Sequence, residues 1–355
     1  MDKDYRNAQF IYDEQKPTVI VGCYMTEDKE LIIPEGVTEI GYKAFYKFKN
    51  LMRIQLPSTL ISIGGFAFAE CDNLQQITIQ ACKGIGFGAF TDCSSLKKIT
   101  IPEGCESIED CAFSGCSSLH EVTIPRSCKS IGQSAFPRCS SLQQITIPES
   151  CQSIGKGAFA MCYSLQQVII SEGCESIGEM AFFDCAKLES VNISEGCESI
   201  GKQAFFNCEK LESVTIPESC KSIGEEAFRF CRLRTVSIPG SCKSIGWRAF
   251  ADCEFLKSVD IHEGCESIEN SAFNGCKRLE SVTIPKSCTR IGYCAFNGCR
   301  LKFVILPKDV HLDGSPFDKG VSIGASAFKS GCLLILAFVG LAIVAFFFLY
   351  PFIKA

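Results

Sequence analysis

Cysteine is the residue type in this 355-residue chain with the most capacity for chemistry, because there are 25 of them. Thiols can pair as disulfides, hold soft metal ions or attack as thiolates. Their spacing decides among these. One column runs from Cys82 to Cys288 and another from Cys71 to Cys299, both in steps of 22 or 23 residues. Apolar residues continue the columns at their ends: Val37, Leu60 and Val310 in the first, Phe48 in the second. A slot that accepts Val, Leu or Phe in place of Cys is a core slot, so most of these thiols are expected to act as small buried hydrophobes. Disulfides between successive copies stay open as an alternative, since stacked coils about 4.8 Å apart bring Cα atoms within reach, although parallel Cβ vectors would strain the bridge. No C-x-x-C pair offers zinc its closely spaced ligands. Cys111 and Cys294 lie off both columns and are expected to be partly exposed.

The other reactive types are sparse. Histidine occurs three times, at His120, His262 and His311. There is no phosphate-binding glycine loop and no G-x-S-x-G. No enzyme activity, cofactor or metal is therefore expected. The net charge of -5, from 35 basic and 40 acidic side chains, speaks against a nucleic-acid partner, which needs a basic face to displace counterions. With 46% apolar and 21% charged residues the chain can bury a core.

The elements that carry the cysteines repeat with the same period. Segments begin at Leu51, Leu74, Leu96 and so on to Leu301. A fixed period of 22 or 23 residues means a solenoid whose coils touch only their neighbours. In the segment from Leu119 to Ser141, Val122 and Ile124 alternate with polar residues and predict a half-buried strand. Pro125 removes a backbone donor and ends it. Cys128 and Ile131 make a second short extended stretch, and Gly132 is read as permitting a tight bend. Ala135, Phe136 and Cys139, at i, i+1 and i+4, predict one or two helical turns with one face inward. A phenylalanine column from Phe45 to Phe296 predicts a packing spine. The expected fold class is thus an α/β repeat: a right-handed, curved solenoid of short parallel strands and short helical turns, roughly 60 Å long at about 5 Å per coil. After Pro307 the register is expected to break at HLDGSPFDKG and to recover partly at VSIGASAF.

The motif L-x-x-I-x-I-P-x-x-C-x-x-I-G-x-x-A-F-x-x-C, as at Leu142 to Cys162, closely resembles the BspA-like leucine-rich repeats. The resemblance covers residues 31–310. It implies a curved leucine-rich-repeat solenoid and, by the family's habit, display at a cell surface. The resulting division is an N-terminal β cap at 1–30, the repeat array at 31–300, a degenerate cap and juxtamembrane segment at 301–332, a transmembrane helix at 333–353 and a short tail at 354–355.

Residues 333–353 carry no charge over 21 positions. At about 1.5 Å per residue a helix of that length matches the hydrocarbon thickness of a bilayer, so a lipid partner is expected there. A buried core helix and a cleaved lipid-anchor signal are weaker alternatives. No cleavable signal is read at the N-terminus. The array is therefore expected either at the cell surface, as the resemblance implies, or facing the cytosol on a tail anchor, as free thiols and the absent signal suggest.

A solenoid offers long faces to protein ligands, and two sets of side chains are candidates for contact. The first occupies outward strand slots: Lys98, Glu121, Gln144, Gln167 and Ile169, the last an apolar residue in a threonine slot. The second is apolar where most coils are polar: Met161, Phe183, Phe206, Phe230, Trp247 and Phe255. Exposed aromatic residues of this kind serve as interface anchors. The leading reading is a membrane-anchored protein that binds protein ligands in surface adhesion or recognition. The alternative is a tail-anchored, cytosol-facing scaffold on an internal membrane.

Overall fold

A computed structural model describes residues 10–24 and 28–325. The chain opens with a hairpin of β1 (Phe10–Tyr12) and β2 (Val19–Cys23), antiparallel and bulged at Ile11/Tyr12. From β2 onward every pairing is parallel, and the chain winds as a β-solenoid with three legs per coil.

The first leg is the predicted strand. These strands run from Glu30–Ile32 to Ser322–Ala325 and pair in sections of five, four, three and two. Their side chains alternate as the sequence pattern requires: Val122 is buried between exposed Glu121 and Thr123. The second leg is a two-residue strand, usually Ser-Ile, in one sheet of fifteen strands that begins at the hairpin. Register is kept residue for residue: Ser107 opposes Ser130 and Ile108 opposes Ile131.

The third leg differs from the sequence expectation. No helix forms among the described residues; the Ala-Phe segment is a series of turns. In the coil around Phe159, the Ala158 and Ala160 N–H groups donate within the coil, to Gly155 and Gly157. The Gly157, Phe159 and Met161 N–H groups donate to carbonyls of the next coil, at Glu179, Ala181 and Phe183, over 2.7–2.8 Å. Alternate donors thus leave the coil, which an α-helix cannot allow. Residues two before and two after each spine phenylalanine have positive φ, for example Ser134 at 49° and Arg138 at 58°. Left-handed residues at that frequency cost about 1–2 kcal/mol each outside glycine, and the inter-coil hydrogen bonds offset this cost.

The core is continuous along the stack. The spine rings are almost wholly buried and lie nearly parallel, with centroids 4.9–5.4 Å apart. Gly132 serves a different purpose from the one expected. Its φ is not positive; instead a Cβ there would lie 2.6 Å from the Asp110 nitrogen of the preceding coil. Close stacking of coils, rather than a bend, demands glycine in that slot.

The array also continues further than the motif suggests. His311–Leu312 pairs with Arg290–Ile291, and Phe317 stacks on Phe296 at 5.3 Å and 6°. Val310 precedes Leu312 by two residues where Cys128 precedes Ile131 by three, so the register slips by one residue at His311 as expected, but Leu312 precedes Phe317 by five residues, the same interval as Ile131 to Phe136, and the spine slot is kept. A further shortening follows: Phe317 to Ser322 is five residues, where Phe296 to Phe303 is seven. Ser322–Ala325 then pairs with Phe303–Leu306. Residues 1–9, the proposed spanning segment at 333–353 and the tail at 354–355 lie outside the described residues. Among the described residues no helix is long and apolar enough to cross a membrane.

Candidate functional site

The cysteines are structural in a more specific way than core filling. All 24 described cysteines are free thiols, and both columns are buried except Cys299. In the second column each Sγ donates to the carbonyl of the preceding coil's spine phenylalanine: Cys162 to Phe136 at 3.3 Å, Cys185 to Phe159 at 3.3 Å. The same carbonyl also accepts the N–H of its own coil's cysteine, as at Cys139 to Phe136. First-column thiols donate two residues onward, Cys128 to the Ser130 carbonyl at 3.3 Å. Burial pushes the Cys162 and Cys151 thiols up to about 12, so neither supplies a thiolate near neutral pH. Cys111 and Cys294 are half-buried, off the columns.

The outward strand set spans two sections of the first leg, which break between Glu121 and Gln144. Lys98 and Glu121 are opposite each other and ion-paired at 2.6 Å. Gln144 opposes Gln167, and Ile169 lies between Thr146 and Asn192. An exposed pair of this type contributes at most about 1 kcal/mol, and the stretch is a shallow polar face.

The aromatic set gathers on the third leg. Phe183 stacks on Phe206 at 5.2 Å, and Phe230 meets Phe206 edge-on at 5.4 Å. Met161 is on the preceding coil, where its N–H makes the same backbone bond to the Phe183 carbonyl that Arg138 makes to Ala160. Phe230 and Phe255 line a common groove with Arg232 and Asp252. Trp247 lies on another part of the leg and is tied in through Glu226 and Arg248, which are ion-paired at 4.0 Å. Its carbonyl accepts the Glu226 N–H at 2.8 Å, and the Arg248 guanidinium lies 4.4 Å from its ring.

Arginines, absent from the sequence expectation, organise this patch. Arg229 follows Phe183 and Phe206 in the same slot and lies 4.4 Å from the Phe230 ring. Its Nη1 donates to Glu226 at 2.6 Å and its Nε to Asp252 at 3.0 Å. Arg232 and Arg278 each place a guanidinium 4.6 Å from Phe255. The buried Arg232 Nε has no hydrogen-bond partner among the described residues. Glu226, 6% exposed, is a buried carboxylate. Burial raises it, but hydrogen bonds from Gln203 and Arg229 and the charges of Arg229 and Arg248 outweigh burial and hold it below the ordinary value. The signal for these arginines was available as clustering around apolar substitutions, but their pairing depends on which coils stack.

Two other features escape the sequence pattern. Tyr42, Phe66 and Phe87 form an edge-to-face row near the N-terminal end, with Lys43 beside it. His262 occupies a proline slot, with Nε2 3.0 Å from Ser237 Oγ and 3.5 Å from Asp260, and Nδ1 3.8 Å from Glu218. The side chains stand in open solvent, and Asp260 competes for the nitrogen facing the hydroxyl. The ring thus has polar neighbours at both nitrogens.

The BspA-type leucine-rich repeat model matches residues 22–140, 83–212 and 198–333, with six copies. The chain belongs to the BspA-type leucine-rich repeat family. Among solved structures, a leucine-rich repeat protein from Bacteroides ovatus is 26% identical over 92% of this chain and 91% of its own, with a TM-score of 0.64. A leucine-rich cell surface protein from Faecalibacterium prausnitzii is 29% identical over 90% and 93%, with a TM-score of 0.47. The pneumococcal vaccine antigen PcpA is 20% identical over 87% and 92%, with a TM-score of 0.49. No curated protein matches the sequence.

Proposed function

We propose that this leucine-rich repeat protein is held at a membrane by residues 333–353 and binds protein ligands at the cell surface, in adhesion or recognition. The observation that carries ligand binding is the third-leg patch of Phe183, Phe206, Phe230, Trp247 and Phe255 with its arginines. Aromatic and arginine side chains dominate the energetics of protein interfaces. Here Arg229 is already oriented by Glu226 and Asp252, so less entropy is lost when a partner docks. The polar strand stretch from Lys98 to Ile169 would extend the contact. Membership in the BspA-type family supports surface display. No catalysis or cofactor enters this reading.

Substituting Phe183, Phe206 and Trp247 together with Ser should abolish binding to a partner captured by the full-length protein. Retained binding would remove the patch as the contact surface. The second reading, a cytosol-facing tail-anchored scaffold, is favoured by the many free thiols, which suit a reducing compartment. A membrane-impermeant protease applied to intact cells separates the two. Digestion of the array without permeabilisation supports surface display, and protection until permeabilisation supports the scaffold.

A further inference from the structure

We infer that the last coil of the array rests on the lipid surface, with Phe303 and Ile305 entering the headgroup region. The inference rests on the proposed anchoring by residues 333–353 and names what that anchoring does to the neighbouring coil.

The slot chemistry changes abruptly at this end. In three successive coils the outward strand pair is Thr235 and Ser237, Ser258 and Asp260, then Ser281 and Thr283. In the next coil it is Phe303 and Ile305, 53% and 51% exposed. On the adjoining strand the residues opposite them are Ser322 and Gly324, while Ile323 pairs with Val304 on the inward face. Phe303 and Ile305 also line an open groove with Val282 and Ile284. In the C-terminal half, where the outward strand slots are otherwise polar, two large apolar side chains stand in water at this end alone among the described coils.

Tether length argues for lipid as the occupant. Ala325 ends the strand beside Phe303–Leu306. Only residues 326–332 separate it from Leu333, and seven residues fully extended span at most about 25 Å. A patch on so short a tether meets the bilayer at high effective concentration whatever else is present. Exposed Lys302 and Lys308 flank the patch and can reach lipid phosphates while their stems cover apolar surface. Asp260 and Glu263 line the same groove and limit how deeply the coil can enter, so the contact is interfacial.

The test uses the full-length protein reconstituted in phosphatidylcholine vesicles containing phosphatidylserine. The chain has one tryptophan, so Trp247→Phe gives a silent background. Phe303→Trp then reports on the patch, and Tyr42→Trp, near the opposite end, serves as control. Nitroxide-labelled lipid with the label near the headgroup should quench the Phe303→Trp variant at least about threefold more than the control, as a side chain seated about 5–10 Å into the interface requires. Flotation on a density gradient reads the anchoring separately. Protein that floats but shows equal quenching at both positions overturns the lipid contact alone. Protein that floats with a blue-shifted, unquenched Phe303→Trp signal overturns it in favour of cover by the tail or a second copy. Protein that stays at the bottom of the gradient overturns the anchoring reading, and the contact with it.

Discussion

Replacing Phe159 with Ala should show how far the array behaves as one continuous column. Phe159 is fully buried and stacked on Phe136 at 5.2 Å and on Phe182 at 5.4 Å. Truncating a buried phenylalanine costs about 3–5 kcal/mol, and loss of two ring pairs, each about 0.5–1.5 kcal/mol, puts this site near 5 kcal/mol. Phe317 is the comparison. It is 8% exposed and stacks on one described ring, Phe296, at 5.3 Å. Phe317→Ala should cost about 2–3 kcal/mol, because one pair is lost and the terminal coil can fray without its neighbours. Urea unfolding of each full-length variant, followed by far-ultraviolet circular dichroism and Trp247 fluorescence, reads both. The Phe159→Ala variant should also broaden or split its transition, since an interior gap separates two stacks that each retain their own neighbours. Equal shifts for the two variants, with unchanged cooperativity, would refute the idea that stability passes from coil to coil through the ring column.

At pH 8 a small thiol reagent should label Cys23, Cys111, Cys294 and Cys299 among the described cysteines, and leave the buried columns unlabelled until denaturant is added. With Cys162 pushed up to about 12, only about one thiol in ten thousand is ionised there at pH 8; rapid labelling of all thiols in native protein would contradict the packing. Glu226 is held below its ordinary value, so its stabilisation is present above the unfolded carboxyl range and is lost as pH falls through its folded value. Glu226→Gln should therefore flatten the acid limb of a stability-against-pH curve measured by thermal melting, and an unchanged limb would argue against the Arg229 pairing. Gly155→Ala should cost about 3 kcal/mol in urea unfolding, because the new Cβ would lie 2.5 Å from the Gly132 carbonyl carbon. Gly104→Ala, with nothing within 4 Å but a φ of +94°, should cost about 1 kcal/mol from backbone strain alone.

The patch on the third leg shows how local substitutions become a surface. Phe183 and Phe206 share a slot one coil apart, and their stacking follows directly from the period. Phe230 sits one slot further on and Trp247 lies on another part of the leg. Their connection runs through Arg229, Glu226 and Arg248, which no spacing rule identified. The outward strand residues were the simpler case, because a period-two pattern fixes which side chains leave the core.

What the sequence determined by itself was everything that repeats. The 22–23-residue period set the stack, the Leu-Ile-Ile slots set the strands, and Phe and Cys set the buried columns, because each residue's neighbours are its own counterparts one coil away. Tertiary structure decided what depends on hydrogen bonds between coils. The Ala-Phe segment has the spacing of a helix, yet its alternate N–H groups bond the next coil and two left-handed residues flank each phenylalanine, so it is a ladder of turns. Gly132 has the place of a bend in the pattern but is a contact surface, since only stacking reveals how near the preceding backbone lies. Phe317 is off the period because the chain is one residue shorter at both Cys299–Leu301 and Val310–Leu312, and only its place on Phe296 shows that the column continues. Periodicity can state which residues align, but the direction of each donor and the distance between coils exist only once the coils are stacked.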